Sequence, residues 1–565
     1  MNNMPKRLAI TISGAVSLGS YEAGVLYEVI NAIGQHNSHP DIRDNTGQQI
    51  EIDVLTGASA GGMTATIAAQ KLMLEAGALK GAYTNSFYLP WVADVSLDGL
   101  LNFHGDDDPL KSILSSEHVI DISKRHLVAR YLSHADPPRE RHPAGAKRIR
   151  LGLALSNLNG IDYGLPLRPE GKFIYTRHQD ELTTWIDDGV AADDSFDFWD
   201  ALRNAAVSCG AFAFAFRVID VIRHAAEFTR PNLQTHIAPT QTFSYTDGGT
   251  FHNEPLGLAK NLVDLIDRHQ NVDSRFYLFV APGAKSSVAS ADFAAAGANF
   301  RATGLRLVNA IFTQARFQDW IFAETVNASI EVFNAQARAA MQLFNQETAA
   351  VTKRSKAFQT SIDSILPDLF NSRPEPRPGE PPLETLEAAR ERAKNQWAGE
   401  YNSLPAATRD AWLDTVLALE SAAQLGTREE MTIYGITASN SELASTELTA
   451  FAGFFDRRCR DHDYDVGRAK GRQFLTNSIL TQPHQIGPIL YPDPEPLRAI
   501  DPHLDGLTLD RMDRAPREQL RDRLSSRAHD ILAQFGVGTG LFAGVVRESI
   551  VNTIIKPQLN NLLKL

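Results

Sequence analysis

The sequence predicts an α/β fold interrupted by a large α-helical insertion, and three observations predict it. Short apolar runs rich in β-branched residues, such as Leu8–Ser13 and Ile50–Leu55, each break into a small-residue loop followed by helical spacing. Further strand-like runs recur at Arg148–Leu155, Lys172–Thr176 and Arg275–Val280. From about Ala289 to Gln424 the strand signals thin out into Ala-rich, polar-interleaved sequence with helical spacing, and β character resumes at Met431–Thr437. A helical segment inserted into an α/β domain that collects its last strand afterwards is the economical interpretation.

At 565 residues the chain is too long for one compact core. Its composition, 43% hydrophobic and 22% charged with a mean hydropathy of −0.22, is that of an ordinary globular protein. A net charge of −12 argues against nucleic acid as a partner, because no basic excess exists to replace phosphate counterions. It equally argues against adhesion to an anionic bilayer by charge alone. Two cysteines, Cys209 and Cys459, make no disulfide framework, so a reducing cytosol is the expected compartment. No long uncharged apolar run appears, so any membrane is expected to be met from its side, as a peripheral contact. Oligomeric state is not legible.

Taken in order, Leu8–Ser13 reads as a strand running into Gly14-Ala15-Val16-Ser17-Leu18-Gly19 and then a helix through Val25, Leu26, Val29 and Ile30. Such a loop leaves backbone N–H groups unpaired at the helix start, which suits a phosphate or the oxyanion of a tetrahedral intermediate. A plain β–α connection is the alternative. Next comes Asp53-Val54-Leu55-Thr56-Gly57-Ala58-Ser59-Ala60-Gly61-Gly62-Met63: a strand, a sharp turn with serine at its apex, and a helix. Gly-x-Ser-x-Gly in that context is the pattern of a nucleophile elbow, in which small neighbours leave room for a strained turn. A serine capping an ordinary helix is the alternative. Ser59 arrives after only about two strands, and a His-Gly-Gly-Gly segment is missing, which points away from an α/β-hydrolase.

The stretch Ala205–Phe216 sets small residues before alternating phenylalanines, either packed core or an apolar wall beside a site. Ser244-Tyr245-Thr246-Asp247-Gly248-Gly249 places a carboxylate at a strand end before two glycines, a loop that lets backbones approach closely. Asn371–Pro382 is Pro-rich and reads as an exposed loop. Phe454–Arg468 is the densest charge cluster; adjacent arginines disfavour a cation there, and a salt-bridged structural segment fits better. The part from Arg511 onward reads as helical. The expected division is an α/β core over 6–288, a helical insertion over 289–428 with its Pro-rich loop at 371–382, a last core strand with the charged helical segment over 429–480, and a C-terminal helical region over 481–565. Because the insertion leaves one core strand and returns to another, it has the topology of a lid over the site. No residue set has convincing metal-ligand spacing, so neither metal nor cofactor is expected.

Three segments, Ser13–Gly24, Gly57–Gly61 and Asp247-Gly248-Gly249, together resemble the patatin-like phospholipase family. The Leu153–Gly160 strand and Phe454–Arg468 resemble further elements of it, the latter found in larger bacterial patatin-related proteins. The resemblance implies a three-layer α/β/α core with a mainly parallel sheet. It implies a serine lipid acyl hydrolase, phospholipase A- or lysophospholipase-like, whose substrate is a glycerophospholipid or another acyl ester. Ser59 would be the nucleophile and Asp247 its base, without a histidine. Amides of Gly14, Ala15 and Val16, assisted by Ala60, would hold the oxyanion, with Gly57, Gly61, Gly248 and Gly249 as motif glycines. A transacylase, or a non-catalytic lipid-binding or assembly protein, are the alternatives. The loop departs from the family pattern at Ala15, Val16 and Leu18, where the family has two glycines and a basic residue; a divergent subgroup carries a similar loop. Val16, being β-branched, is expected to hold φ negative.

Overall fold

The computed structural model describes residues 4–132, 139–166, 171–187, 195–228 without 214, 233–267, 275–283, 327–345 without 343, 366–368, 384–422, 431, 433–477, 489–537 and 543–565, together with 294, 303, 310 and 360. The Pro-rich stretch 371–382 and most of the first half of the insertion lie outside these residues.

Among the described residues, eight strands build one mixed sheet in the order β5-β6-β3-β2-β1-β7-β8, with β4 paired to β3. They are β1 (Lys6–Ile12), β2 (Ile50–Gly57), β3 (Gly145–Pro166), β4 (Lys172–Asp187), β5 (Ile219–His224), β6 (Thr240–Thr246), β7 (Arg275–Pro282) and β8 (Ile433–Ala438). The β3–β2–β1–β7–β8 half is parallel; β4, β5 and β6 run antiparallel to their neighbours.

Helices cover both faces of the parallel half, which is why its strands read as continuous apolar runs. Leu8, Ile10 and Ile12 point to one side, into a core shared with α1 (Gly19–Ser38), α2 (Ala60–Leu74) and α3 (Phe196–Cys209). Ala9 and Val54 point to the other, onto Leu258, Leu262 and Val263 of α4 (Leu256–Asp267). The period of two along each strand thus produces the three layers. A buried ion pair braces this framework: Arg275 forks onto both oxygens of Asp53, at 2.6 and 2.9 Å, and also reaches Asp267.

The parts of 289–428 that are described include α5 (Leu386–Gln396) and α6 (Arg409–Ala422), which form a small core of their own around Trp397 and Trp412. Asn327 exchanges hydrogen bonds with the backbone of Met431, just before β8 begins. That is the end of the sheet away from Ser59, and no described residue of 327–422 shares an apolar cluster with the Ser59 loop. A lid role therefore has no support among the described contacts.

The charged segment becomes α7 (Arg457–Asn477), laid across α1. A Cβ at Gly24 would overlap the Tyr464 carbonyl, and one at Gly467 would overlap that of Tyr21, so both glycines are what lets the helices approach. The charges are consumed in place: fully buried Arg468 pairs with Glu28 at 2.7 Å, and Arg460 donates to the Val92 and Gly453 carbonyls. The C-terminal region is not helical throughout. Residues 489–508 contain no helix or strand, since Pro492, Pro494 and Pro496 lack the N–H that a helix needs, and α8 (Arg514–Gln534) follows.

Candidate active site

Topology brings two distant segments to one point. β2 ends at Gly57 opposite Leu153 of β3; β6, running the other way, ends at Thr246 opposite Ser156. Both strand ends therefore abut along β3, three residues or about 10 Å apart. The chain turns into the same space from both, carrying Ser59 from one side and Asp247 from the other.

Ser59 sits at φ 51°, ψ −127°, a conformation sparsely populated for a residue with a Cβ, with α2 starting at the next residue. The turn closes because Gly57 and Gly61 have no side chains: a Cβ on the first would strike the Gly61 carbonyl, on the second the carbonyls of Ile12 and Ser13. Ser59 Oγ donates to Asp247 Oδ2 at 2.6 Å.

Asp247 is held on every side. Its Oδ1 accepts the Gly249 N–H at 2.7 Å, its own N–H donates to the Ala211 carbonyl at 2.9 Å, and its carbonyl accepts Ser156 Oγ at 2.8 Å. A Cβ on Gly248 would overlap the Ala154 carbonyl, so this loop too depends on a bare backbone. The carboxyl is 2% exposed. Burial pushes its pKa up to about 6, against the lowering pull of the Ser59 and Gly249 hydrogen bonds. Such a carboxylate is still ionised at neutral pH, yet more basic than an exposed aspartate. Both its oxygens are satisfied by Ser59 and Gly249, and the His252 ring is not among their partners.

The first loop lies alongside. Gly14 is close enough that a Cβ would stand 3.1 Å from Ser59 Cβ and overlap Asn253 Oδ1. Its N–H donates to the Asn253 carbonyl at 3.1 Å, so of the four amides expected for an oxyanion, this one is already spent. The N–H groups of Ala15, Val16 and Ala60 have no partner among the described residues. Val16 overturns the expectation of negative φ: it stands at +52°. For a β-branched residue this is a true outlier; its side chain joins the apolar cluster that also takes in Phe216, Leu448 and Phe451. Leu448 and Ala450, also at positive φ, lie on the segment that takes the Ser17 hydroxyl through the Ala450 carbonyl. Strain thus gathers around one edge of the sheet.

Of Ala205–Phe216, residues to Cys209 are helical, and the Ala211 carbonyl anchors both Thr246 Oγ1 and the Asp247 N–H. Phe216 joins an apolar cluster with Val16 that C-terminal Leu563 and Leu520 help to close. Sequence reasoning missed Asn253, Ser156 and Ala211 as supports, because each acts through backbone or through a pairing across strands. Among the described residues no cluster of His, Cys, Asp or Glu could hold a metal ion, and no helix is long and apolar enough to cross a membrane.

A search of curated proteins finds no match to this chain. A family model does match: patatin-like phospholipase, over residues 10–260. That span takes in the loop at Gly14, the turn at Ser59 and the loop at Asp247, so this part of the chain is similar to the patatin-like phospholipases, a family of lipid acyl hydrolases.

Proposed function

We propose that this protein is a serine lipid acyl hydrolase, phospholipase A- or lysophospholipase-like, working through a Ser59–Asp247 dyad. The observation that carries the reading is the direct 2.6 Å hydrogen bond between the two side chains inside a buried site. Ser59 Oγ attacks the ester carbonyl while its proton passes to Asp247. The amides of Ala15, Val16 and Ala60 hold the oxyanion, with the N-terminus of α2 adding its partial positive charge. Collapse expels the alcohol, which takes the proton back from Asp247. Water, deprotonated by the same carboxylate, then releases the fatty acid and frees Ser59.

The test is labelling by a fluorophosphonate probe together with fatty acid release from phospholipid, in wild type and Ser59→Ala. Labelling and release that vanish together in the variant support the proposal; an unlabelled, folded wild type sinks it. A non-catalytic lipid-binding role is the second reading, and the spent Gly14 amide is the observation on its side. Transacylation shares every step but the last acceptor, so recovery of transferred rather than free acyl product would identify it.

A further inference from the structure

The long β3–β4 hairpin has no role in the chemistry above. β3 parts from β2 at Leu153, level with Gly57, and then continues to Pro166 beyond the sheet edge where Ser59 lies. Past an irregularity between Ser156 and Ile161, the distal ribbon pairs Ile161–Pro166 with Lys172–Arg177, a reach of about 17 Å. Its base is anchored through the Asp162 carbonyl, which accepts from the backbone of Gln234 and Thr235, and through Tyr163, which bridges to Leu233. β4 pairs with no described strand other than β3.

The end of this ribbon is apolar on both faces. Leu165 stands directly opposite Phe173, and Ile174, pointing the other way, faces Gly164. These side chains are 46%, 55% and 57% exposed, and Tyr175 beside them is 38% exposed. A half-buried ribbon normally alternates apolar and polar faces, and an isolated two-stranded ribbon is marginal in water. Large aliphatic and aromatic groups gathered at such a tip mark an interaction surface. Lys172 is exposed at the same tip, and Arg177 lies at the other end of the ribbon, opposite Ile161. Nearer the base of the ribbon, Asp162 is held by Thr176 Oγ1 at 2.7 Å. Over 161–178 the sequence carries Arg168, Lys172 and Arg177 against Asp162 and Glu170, a small basic excess in a chain of net charge −12.

The arm is also tied to the site. His178 stacks on Phe251, with ring centroids 6.3 Å apart, and its Nδ1 meets the Asn157 carbonyl at 2.7 Å. Phe251 lies four residues past Asp247 on the same loop.

We infer that the tip of the β3–β4 hairpin, Leu165, Phe173, Ile174 and Tyr175 with Lys172, docks into the interface of a phospholipid bilayer and presents the Ser59 edge of the sheet to it. The inference rests on the lipid-hydrolase reading. Burying the apolar tip supplies the attraction that the net charge cannot, and Tyr175 and Lys172 keep their polar ends at headgroup level. A second copy of this chain is the competing occupant, and the small basic excess of the arm on an otherwise acidic molecule favours lipid.

The experiment is vesicle flotation of the full-length chain carrying Ser59→Ala, so that binding is read without turnover. Phosphatidylcholine vesicles are used with and without phosphatidylglycerol. Replacing Phe173 and Ile174 by serine is expected to weaken partitioning by roughly tenfold each, since each side chain gains about one large residue's burial. Ile222→Ser, an exposed apolar residue on β5, is expected to leave it unchanged. In the wild-type background, the same double variant should lose turnover on vesicles and keep it on a soluble short-chain ester. Unaltered flotation of the double variant overturns the inference. So does a shift from dimer to monomer on ultracentrifugation caused by the same substitutions, which would assign the tip to self-association. Absence of fluorophosphonate labelling at Ser59 would overturn the hydrolase reading while leaving the flotation result standing.

Discussion

Asp247→Asn separates chemistry from folding more cleanly than any other change to this site. The amide is isosteric: its oxygen can accept the Gly249 N–H and its nitrogen can face Ser59 Oγ, so the loop keeps its shape. What disappears is the base. Loss of general-base catalysis costs about 10²–10⁴ in rate, and members of a catalytic unit are non-additive, so Ser59→Ala added to it should cost little more. Stability should move the other way. A carboxyl whose pKa stands at about 6 in the fold, against 3.8 for an ordinary aspartate, stabilises the fold fully only when protonated, below the ordinary value. That contribution is lost as pH rises toward and through about 6, because the buried form then has to carry its charge. At about 1.4 kcal/mol per tenfold, the interval corresponds to up to about 3 kcal/mol at pH 8. Asp247→Asn escapes this cost, so its stability relative to wild type should grow between pH 4 and pH 8. The assay is denaturant unfolding of both proteins across that range, beside turnover of one short-chain ester. A stability difference that does not change with pH would refute the burial argument. A folded variant that keeps its activity would refute the dyad, and so would a folded but inactive His252→Ala, since the carboxylate oxygens of Asp247 are bonded by Ser59 and Gly249.

The same carboxyl should set an acid limb near pH 6 in kcat/KM, with activity rising as Asp247 ionises; a limb near 4, measured under first-order conditions, would contradict its burial. Gly14→Ala forces a methyl into Asn253 Oδ1 and against Ser59, so turnover should fall at least tenfold with little change in KM, read by steady-state kinetics on the short-chain ester. Arg275→Met leaves Asp53 buried and Asp267 half-buried without their cation and should cost about 3–5 kcal/mol in denaturant unfolding. Gly24→Ala drives a methyl into the Tyr464 backbone and should loosen α7 from α1, seen as faster amide exchange across 457–477.

Some of this protein was legible in its sequence because the information is local. β1, β2 and β7 announce themselves by apolar runs, as strands buried on both faces must, and β8 at the sheet edge by its isoleucines and tyrosine. Gly57, Ser59 and Gly61 announce the turn, because only small neighbours permit a serine at φ 51°. Asp247 before two glycines could be singled out for the same reason. Other features depend on what lies opposite. Nothing near Val16 in sequence says that it takes positive φ; the apolar cluster its side chain joins is built with Phe216, Leu448 and Phe451, each at least 200 residues away. Nothing near Gly14 says that its amide is spent, since Asn253 reaches it only once β1 and the Asp247 loop share an edge. The insertion has a lid's connectivity, but the described contacts tie it near Met431, at the other end of the sheet. The hairpin beyond Ser156 was invisible as an arm, because period-two alternation predicts a strand without saying whether a neighbour covers it. Sequence determined which residues have the chemistry and the freedom to turn. Tertiary structure decided which of them meet, because the meeting point is made by strand ends that register with β3 from opposite directions.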